Sequence, residues 1–520
     1  MGNQSEKYLY GAAVQGIQEF IYQTNKLREI LGASELVEEI CTTMFANTLY
    51  GKEHTYAEAR KALMEDNNAI LFAAGNVKYI FQSREACEQF VRIFPKVITS
   101  FAPGITISQA VVKMEGENAT FATAVNLLEN RLRTQRNRPL RSPVIGMMGI
   151  MRSRQTGLPV IDYPPKNNTY WDAAKLAKLK IINQLNNEPP EERQPLPALC
   201  QKSFGIEEVS DRRIAYEIED ITQKNDWIAI IHADGNGLGQ IVQKIGANPE
   251  KFKQFSLLLD EATIASAVHA YNVVSEMFGE TKVIPIRPVV LSGDDLTMIC
   301  RADLALAYTK AFIEEFEKQT EDKLGSILRD NQVFTNDTCY LTACAGITYI
   351  KSSFPFYAAY NLAEELCSVA KKDAKAGINA GELPKSCISF HKVQDSFTED
   401  WKTIVKRELS PQAHISFAFG PYYVTAKKND SQWSVDDLLT YTAQLGSKEG
   451  NAVKSHLRQW MSFLHDNPAM AQQKLDRLKS ITTKKELVEA VTKSTERDGK
   501  NVYPVYDILA IHTINNQQTK

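Results

Sequence analysis

Apolar residues along the chain alternate between runs of strand type and stripes of helix type. Tyr8 to Val14 is a short apolar run that reads as a strand. From Gln15 the spacing becomes helical, with Ile17, Phe20, Ile21, Leu27, Ile30, Leu31, Leu36, Val37 and Ile40 on recurrent i, i+3, i+4 positions. One strand followed by one long helix is expected. Ala69 to Ala74 and Val77 to Phe81 are β-rich runs on either side of Gly75-Asn76, which predicts a hairpin centred on those two residues. An amphipathic helix follows from about Arg84 to Ser100, then a strand over Ile105 to Val112. The unit reads β-α-β-β-α-β.

The same order returns later. Trp227 to Ile231 is a buried-strand run and Asp260 to Met277 is helical. Val289 to Leu291 and Leu296 to Ile299 flank a Ser292-Gly-Asp-Asp295 turn. Ala302 to Gln319 is helical, Tyr340 to Ile350 a strand, Ala358 to Lys372 a helix, and Ile388 to Phe390 a last strand. The expected fold class is α+β: two ferredoxin-like units in a pseudo-twofold arrangement, followed by helices. The divisions are 1–150, a loop-rich connector 151–224, 225–395, and a helical part 396–520. The connector carries Pro164-Pro165, Asn167-Asn168 and the Pro-rich run 188–197, with a short helix near Trp171 to Leu185. The last part predicts helices near Ser434 to Leu445, Asn451 to Leu464, Pro468 to Ile481 and Lys484 to Thr492.

Composition narrows the function classes. Among the 520 residues, 60 Lys and Arg against 62 Asp and Glu exclude a globally basic nucleic-acid coat, although local basic patches remain open. No run approaches the roughly 18 apolar residues needed to span a bilayer, and the start lacks the apolar core of a signal peptide. A cytoplasmic protein without a membrane partner is expected. The Met1-Gly2 start fails the myristoylation pattern at Glu6. Eight cysteines without a C-x-x-C pair read as reduced core residues.

The candidate chemistry lies in the second unit. Asp234 ends the Trp227 strand and opens the glycine turn Gly235-Asn236-Gly237-Leu238-Gly239, while Gly293-Asp294-Asp295 sits in a hairpin turn. A ferredoxin-like sheet brings these turns side by side. Either tripeptide alone is most simply a turn, because Asp and Asn bond their own backbone there. Together they bring carboxylates to one sheet edge, where crowded charges repel and metal ions are the usual remedy. Two or three carboxylates suit Mg²⁺, a hard cation that completes its octahedron with water and phosphates. Such a pair stabilises an attacking 3′-hydroxyl and a leaving pyrophosphate.

These residues carry a resemblance. Asp234 in its glycine turn, Ser292-Gly-Asp-Asp295, and Ala345 to Ile350 leading through Phe354-Pro-Phe356 into Leu362 to Lys372 resemble the catalytic palm of the large polymerase-like subunit of type III CRISPR effector complexes. The likeness to the GGDEF palm of diguanylate cyclases is more distant. Gly16 to Ile21, Leu27 to Ser34 and Ala73 to Asn76 resemble that family's first palm, but the turn lacks Asp, so no metal pair is expected there. The resemblance implies that Asp234 and Asp294 bind Mg²⁺ or Mn²⁺, with Asp295 as a further ligand or a support. It places Gly235, Asn236, Gly237, Ser292, Gly293 and Lys371 or Lys372 against nucleotide. It implies an enzyme that joins ATP into cyclic or linear 3′-5′ oligoadenylates, second messengers of antiviral defence, and partners among guide or target RNA and other effector subunits. The sequence departs from the family at Ser292, usually Gly, and Asn236, often acidic, and shows no HD nuclease domain and no C-x-x-C zinc element. A stand-alone relative, a non-catalytic RNA- or protein-binding scaffold and a cyclic mono- or dinucleotide cyclase are the alternatives.

Several other features have simpler readings. Arg131, Arg133, Arg136, Arg138 and Arg141, followed by Arg152 and Arg154, either contact RNA or triphosphate or form a solvated helix face. His465-Asp466 reads as surface. His232 is expected on the face opposite Asp234, in the core. Phe354, Phe356 and Tyr357 read as packing, with base stacking as the alternative.

Overall fold

The computed structural model describes residues 6–516 apart from 74, 119, 138–147, 163–169, 184–195, 208–211, 224–225, 336–337, 380, 428 and 430. The proline-rich parts of the connector, Arg138 and Arg141 therefore lie outside the described residues.

The first unit runs β1 (Tyr8–Gln15), α1 (Ile17–Ile21), α2 (Leu27–Glu39), a π-helical stretch Ile40–Met44, α3 (Phe45–Tyr50), α4 (Tyr56–Glu65), β2 (Ala69–Ala73), β3 (Asn76–Phe81), α5 (Arg84–Phe101), β4 (Thr106–Lys113) and α6 (Phe121–Arg136). Its sheet has the order β2-β3-β1-β4, antiparallel where β1 meets β3 and β4. That is the ferredoxin-like arrangement expected from the apolar pattern.

Two local expectations are corrected. The long helix after β1 is broken: Gly16 starts α1 in a left-handed conformation, and the chain leaves helix between Ile21 and Leu27. Thr24 explains part of that break, since its hydroxyl accepts from the Lys26 amide, the local competition by which Thr ends helices. The first hairpin is centred one residue earlier, because Ala73 pairs with Asn76 and Gly75 takes the positive φ of 75°.

The connector adds α7 (Ala173–Ile181) and α8 (Ala198–Phe204). The second unit then runs β5 (Trp227–Gly235), α9 (Leu238–Ile245), α10 (Pro249–Ser275), β6 (Ile286–Ser292), β7 (Asp295–Arg301), α11 (Ala302–Asp330), β8 (Ala343–Lys351), α12 (Phe356–Lys375) and β9 (Cys387–Lys392). Its sheet order is β6-β7-β5-β8-β9, extended at the far edge by β10 (Tyr422–Tyr423). The first four strands repeat the order of the first sheet. β5 is buried almost throughout, as a strand covered on both faces must be, which accounts for its unbroken apolar run.

The C-terminal part has helices α13 (Val435–Gly446), α14 (Lys448–Asp466), α15 (Pro468–Ile481), α16 (Lys485–Thr492) and α17 (Val505–Asn515). It also holds a small sheet of Ile415–Ser416, Lys500–Val502 and Thr495–Arg497, which two- and three-residue strands too short to show alternation had hidden. No helix of the described residues is long and apolar enough to cross a membrane.

Asp507 in α17 makes a pH-dependent contribution. Burial pushes its carboxyl up to about 7, only partly offset by the Tyr422 hydroxyl that donates to it at 2.7 Å. A carboxyl raised in the fold stabilises it below the ordinary carboxylate pKa and loses that contribution as pH climbs toward 7. The melting temperature of Asp507→Asn is therefore expected to gain on the native protein between pH 4 and pH 7, by an amount on the order of 1–4 kcal/mol in stability. A gap that stays constant across scans at those pH values would contradict this.

Candidate active site

Strand register decides which side chains meet. Cys344 pairs with Asp234 on one side of β5, and Leu296 pairs with Ala233 on the other. Asp295 thus lies one step beyond Leu296, opposite Asp234, and side chains at paired positions share a face. Ser292 pairs with Asp295, leaving Gly293 and Asp294 as the two-residue turn, with φ of 64° at Gly293. The outcome is one cluster: Asp234, Asp294 and Asp295 offer oxygens that all lie within 4.8 Å of one another, and all three residues are half-buried.

Gly235 makes the close approach possible. A Cβ there would sit 2.9 Å from both Cβ and Oδ2 of Asp294. Gly237 starts α9 at φ of 85°, where a Cβ would also press on the Phe334 ring at 2.9 Å. Gly239 is exposed with open space around it. Asn236 turns inward: its amide nitrogen donates to Thr342 Oγ1 at 3.1 Å and reaches Cys344 Sγ at 3.4 Å, while its Oδ1 is buried without a partner. Ser292 is buried at the end of β6.

Crowding sets the electrostatics. Burial, then the charges of Asp295 and Asp234, push the Asp294 carboxyl well above the usual range. Asp295 is pushed up to about 7 by burial and by Asp234, against the opposing pull of Lys371. Lys371 Nζ bonds the Asp234 carboxylate and donates to the Gly235 carbonyl at 2.9 Å. The ammonium is held above its ordinary pKa by Asp234 although burial opposes it. Of the two lysines singled out in the sequence, only Lys371 reaches the cluster, because Lys372 is one residue round the helix and exposed.

His232 is a correction. It lies two residues from Asp234, and a period of two returns a side chain to the same face. Both side chains meet α12, His232 against the Tyr360 ring at 5.6 Å and Asp234 through Lys371. The imidazole is buried, which pushes its pKa down to about 4 and keeps it neutral.

Residues 227–379 match the family described as Cas10/Cmr2, second palm domain. This stretch is a Cas10-like palm. Three solved structures share its chain-wide fold. A Csm1–Csm4 cassette in complex with cA3 aligns over 99% of this chain and 70% of its own, at 14% identity and a TM-score of 0.56. A cassette in complex with pppApApA aligns over 98% and 70%, at 14% and 0.57. The Csm1–Csm4 subcomplex of the type III-A CRISPR-Csm interference complex aligns over 99% and 70%, at 13% and 0.53. Identity this low makes the likeness one of fold. A sequence comparison with curated proteins finds no match.

Sequence reasoning missed the residues that brace the Cas10-like palm from outside. Gln18 Nε2 donates to Tyr360 OH at 2.9 Å, Tyr22 stacks on Tyr360 at 4.6 Å, and Asn25 Oδ1 accepts from the Phe356 amide at 3.1 Å at the start of α12. All three belong to the broken segment after β1, more than 300 residues away in sequence, and carry no local motif. Phe354 and Phe356 are buried, and Tyr357 is exposed. The arginines of α6 lie elsewhere: Arg131 bonds the Val111 carbonyl of edge strand β4 and lines a cleft of about 650 Å³, while Arg133 and Arg136 are exposed.

Proposed function

We propose that this protein is a divalent-cation-dependent nucleotidyltransferase that condenses ATP into cyclic or short oligoadenylates, as an effector subunit of type III CRISPR character. The observation that carries the reading is the convergence of Asp234, Asp294 and Asp295 at one rim of the second sheet. The donor set fits a hard cation: the ligands are carboxylate oxygens, and crowding raises the cost of leaving them unneutralised. Asp234 and Asp294 would hold Mg²⁺ or Mn²⁺, with Asp295 as a further ligand, and the bound cation would supply the charge that favours ribose-hydroxyl attack and pyrophosphate departure.

The chain's own part is positioning. Gly235 keeps the space beside Asp294 free of a side chain, and Gly293 gives the turn its left-handed backbone. Lys371 bonds the Asp234 carboxylate and would orient it, and its ammonium would meet phosphate. No protein nucleophile is required, because the attacking group belongs to the substrate. Further support comes from the relatives of the same fold, whose structures are described as Csm1–Csm4 cassettes in complex with AMPPNP, with one ATP and with cA4.

Incubating the purified chain with labelled nucleoside triphosphates and Mg²⁺ tests the reading, and the product mass separates oligoadenylates from cyclic mono- or dinucleotides. Formation of product by the native protein and about 10²–10³-fold less by Asp294→Ala is expected. Equal product from both proteins would end the assignment. Nucleotide binding without turnover, with and without added RNA, would favour the scaffold.

A further inference from the structure

The turn that carries Asp294 is gripped on both sides by a buried charged chain that begins in the first unit. Gly293 N donates to Asp260 Oδ1 of α10 at 3.3 Å, and Thr263 Oγ1, one turn along α10, donates to Gly293 O at 2.5 Å. Both backbone groups of the residue preceding Asp294 are thus fixed by one helix. Lys202 of α8 donates to the Leu291 carbonyl at 2.7 Å and lies 3.3 Å from Asp260 Oδ1. It therefore ties the strand entering the turn to the acceptor that holds the turn's tip.

Lys202 continues the chain to Glu38 of α2 at 3.3 Å, and Tyr56 of α4 donates to that same Glu38 oxygen at 2.6 Å. Arg60 of α4 closes on Asp260 Oδ2 at 2.5 Å. Glu38, Lys202, Asp260 and Thr263 are all buried. Two carboxylates and two cations balance, as buried charges must, and such a network holds its members in one arrangement only when every partner is present.

We propose that Asp260 and Thr263 are positioning residues for Asp294, and that Lys202, Glu38 and Arg60 link them to α2 and α4, so that the first unit sets the geometry of the carboxylate site. A shift of α2 or α4 then reaches Asp294 through Gly293 without any contact to nucleotide. The inference rests on the reading of Asp234 and Asp294 as cation ligands, and its test separates the two.

Mn²⁺ binding to the full chain, followed by electron paramagnetic resonance, and deuterium uptake at the amides of residues 291–295 are measured for Asp260→Asn, Thr263→Val and Glu38→Gln. The control is Tyr422→Phe, which removes the buried Tyr422–Asp507 hydrogen bond of 2.7 Å between β10 and α17, on none of the elements of this chain. Thr263→Val keeps the side-chain shape and guards against a variant that does not fold. Mn²⁺ affinity is expected to fall about tenfold in Asp260→Asn and Thr263→Val, and severalfold in Glu38→Gln, as it does when groups behind a metal ligand are removed. Exchange at 291–295 is expected to quicken in the same three variants, and Tyr422→Phe is expected to change neither quantity. Unchanged affinity and exchange in Asp260→Asn and Thr263→Val, or an equal change in Tyr422→Phe, would overturn the proposal. Native protein that binds no Mn²⁺ would remove the cation-site reading, and exchange alone would then decide whether Asp260 holds the turn.

Discussion

Asp294→Asn is expected to cut nucleotide condensation by about 10²–10³-fold and to raise the melting temperature of the metal-free protein in the same substitution. Both effects come from one cause, the crowding of three carboxylates within 4.8 Å. Burial and the neighbouring charges hold the Asp294 carboxyl well above its ordinary pKa. Its contribution to stability is therefore complete below the ordinary carboxylate range and lost as pH rises through the folded value. Asparagine keeps the shape, can still donate to Asp234, and carries no charge to repel Asp295. The gain should be small at pH 4 and larger at pH 8, about 2–4 °C for each kcal/mol relieved in a domain of this size. Catalysis moves the other way, because an amide is a poor ligand for a hard divalent cation, and a loss of about 10²–10³-fold is expected. Mg²⁺ should raise the native melting temperature more than that of the variant, since only tight binding to the folded state stabilises it. Scanning calorimetry at pH 4 and pH 8, with and without Mg²⁺, reads all of this. A variant less stable than the native protein at pH 8 would mean that the carboxylate is engaged in a favourable contact, and the strained-site account would fail.

Such a trade of stability for function is where local sequence rules and global fold pull apart, and it marks what could be read from the sequence. The unbroken run of β5, the Ser292 to Asp295 turn and the return of β-α-β-β order were enough to place Asp234 and Asp294 at one rim, because register follows from pattern once the sheet order is right. The same period of two places His232 beside Asp234 rather than behind it, so that position was legible and was misread. Lys371 was reachable only through the family likeness: nothing in the spacing of α12 separates it from Lys372 except the helix face, and that depends on where α12 starts. The break after Ile21 was not legible, because Asn25 is held by the Phe356 amide of a distant helix. Asp260 and Thr263 were hidden for a related reason. Asp260, between Leu259 and the equally acidic Glu261, looks like any helix carboxylate until the turn 33 residues later supplies its partner.

A methyl group added at Gly346 tests how far the site depends on packing beneath it. Gly346 lies on β8 directly opposite His232, so its missing side chain faces α12. A Cβ there would lie 1.9 Å from the Ala363 carbonyl oxygen and 2.6 Å from the Cys367 amide nitrogen. Both are backbone atoms of α12, which cannot swing aside as a flexible side chain does, so the helix itself must lift. Overpacking of this kind costs about 3 kcal/mol or more. The displacement travels with the helix: Tyr360 would leave Gln18 and Tyr22, and Lys371 would leave Asp234. Gly346→Ala is therefore expected to unfold at lower denaturant and, in the fraction that remains folded, to bind nucleotide more weakly. Gly239→Ala is the matched control, since that glycine lies on the exposed side of α9 with nothing near its missing Cβ, and alanine there should gain up to about 1 kcal/mol from helix propensity. Equal stability of the two variants would show that α12 does not rest on β8 as closely as the Gly346 contact requires, and Lys371 would then lose its claim to a fixed place beside Asp234.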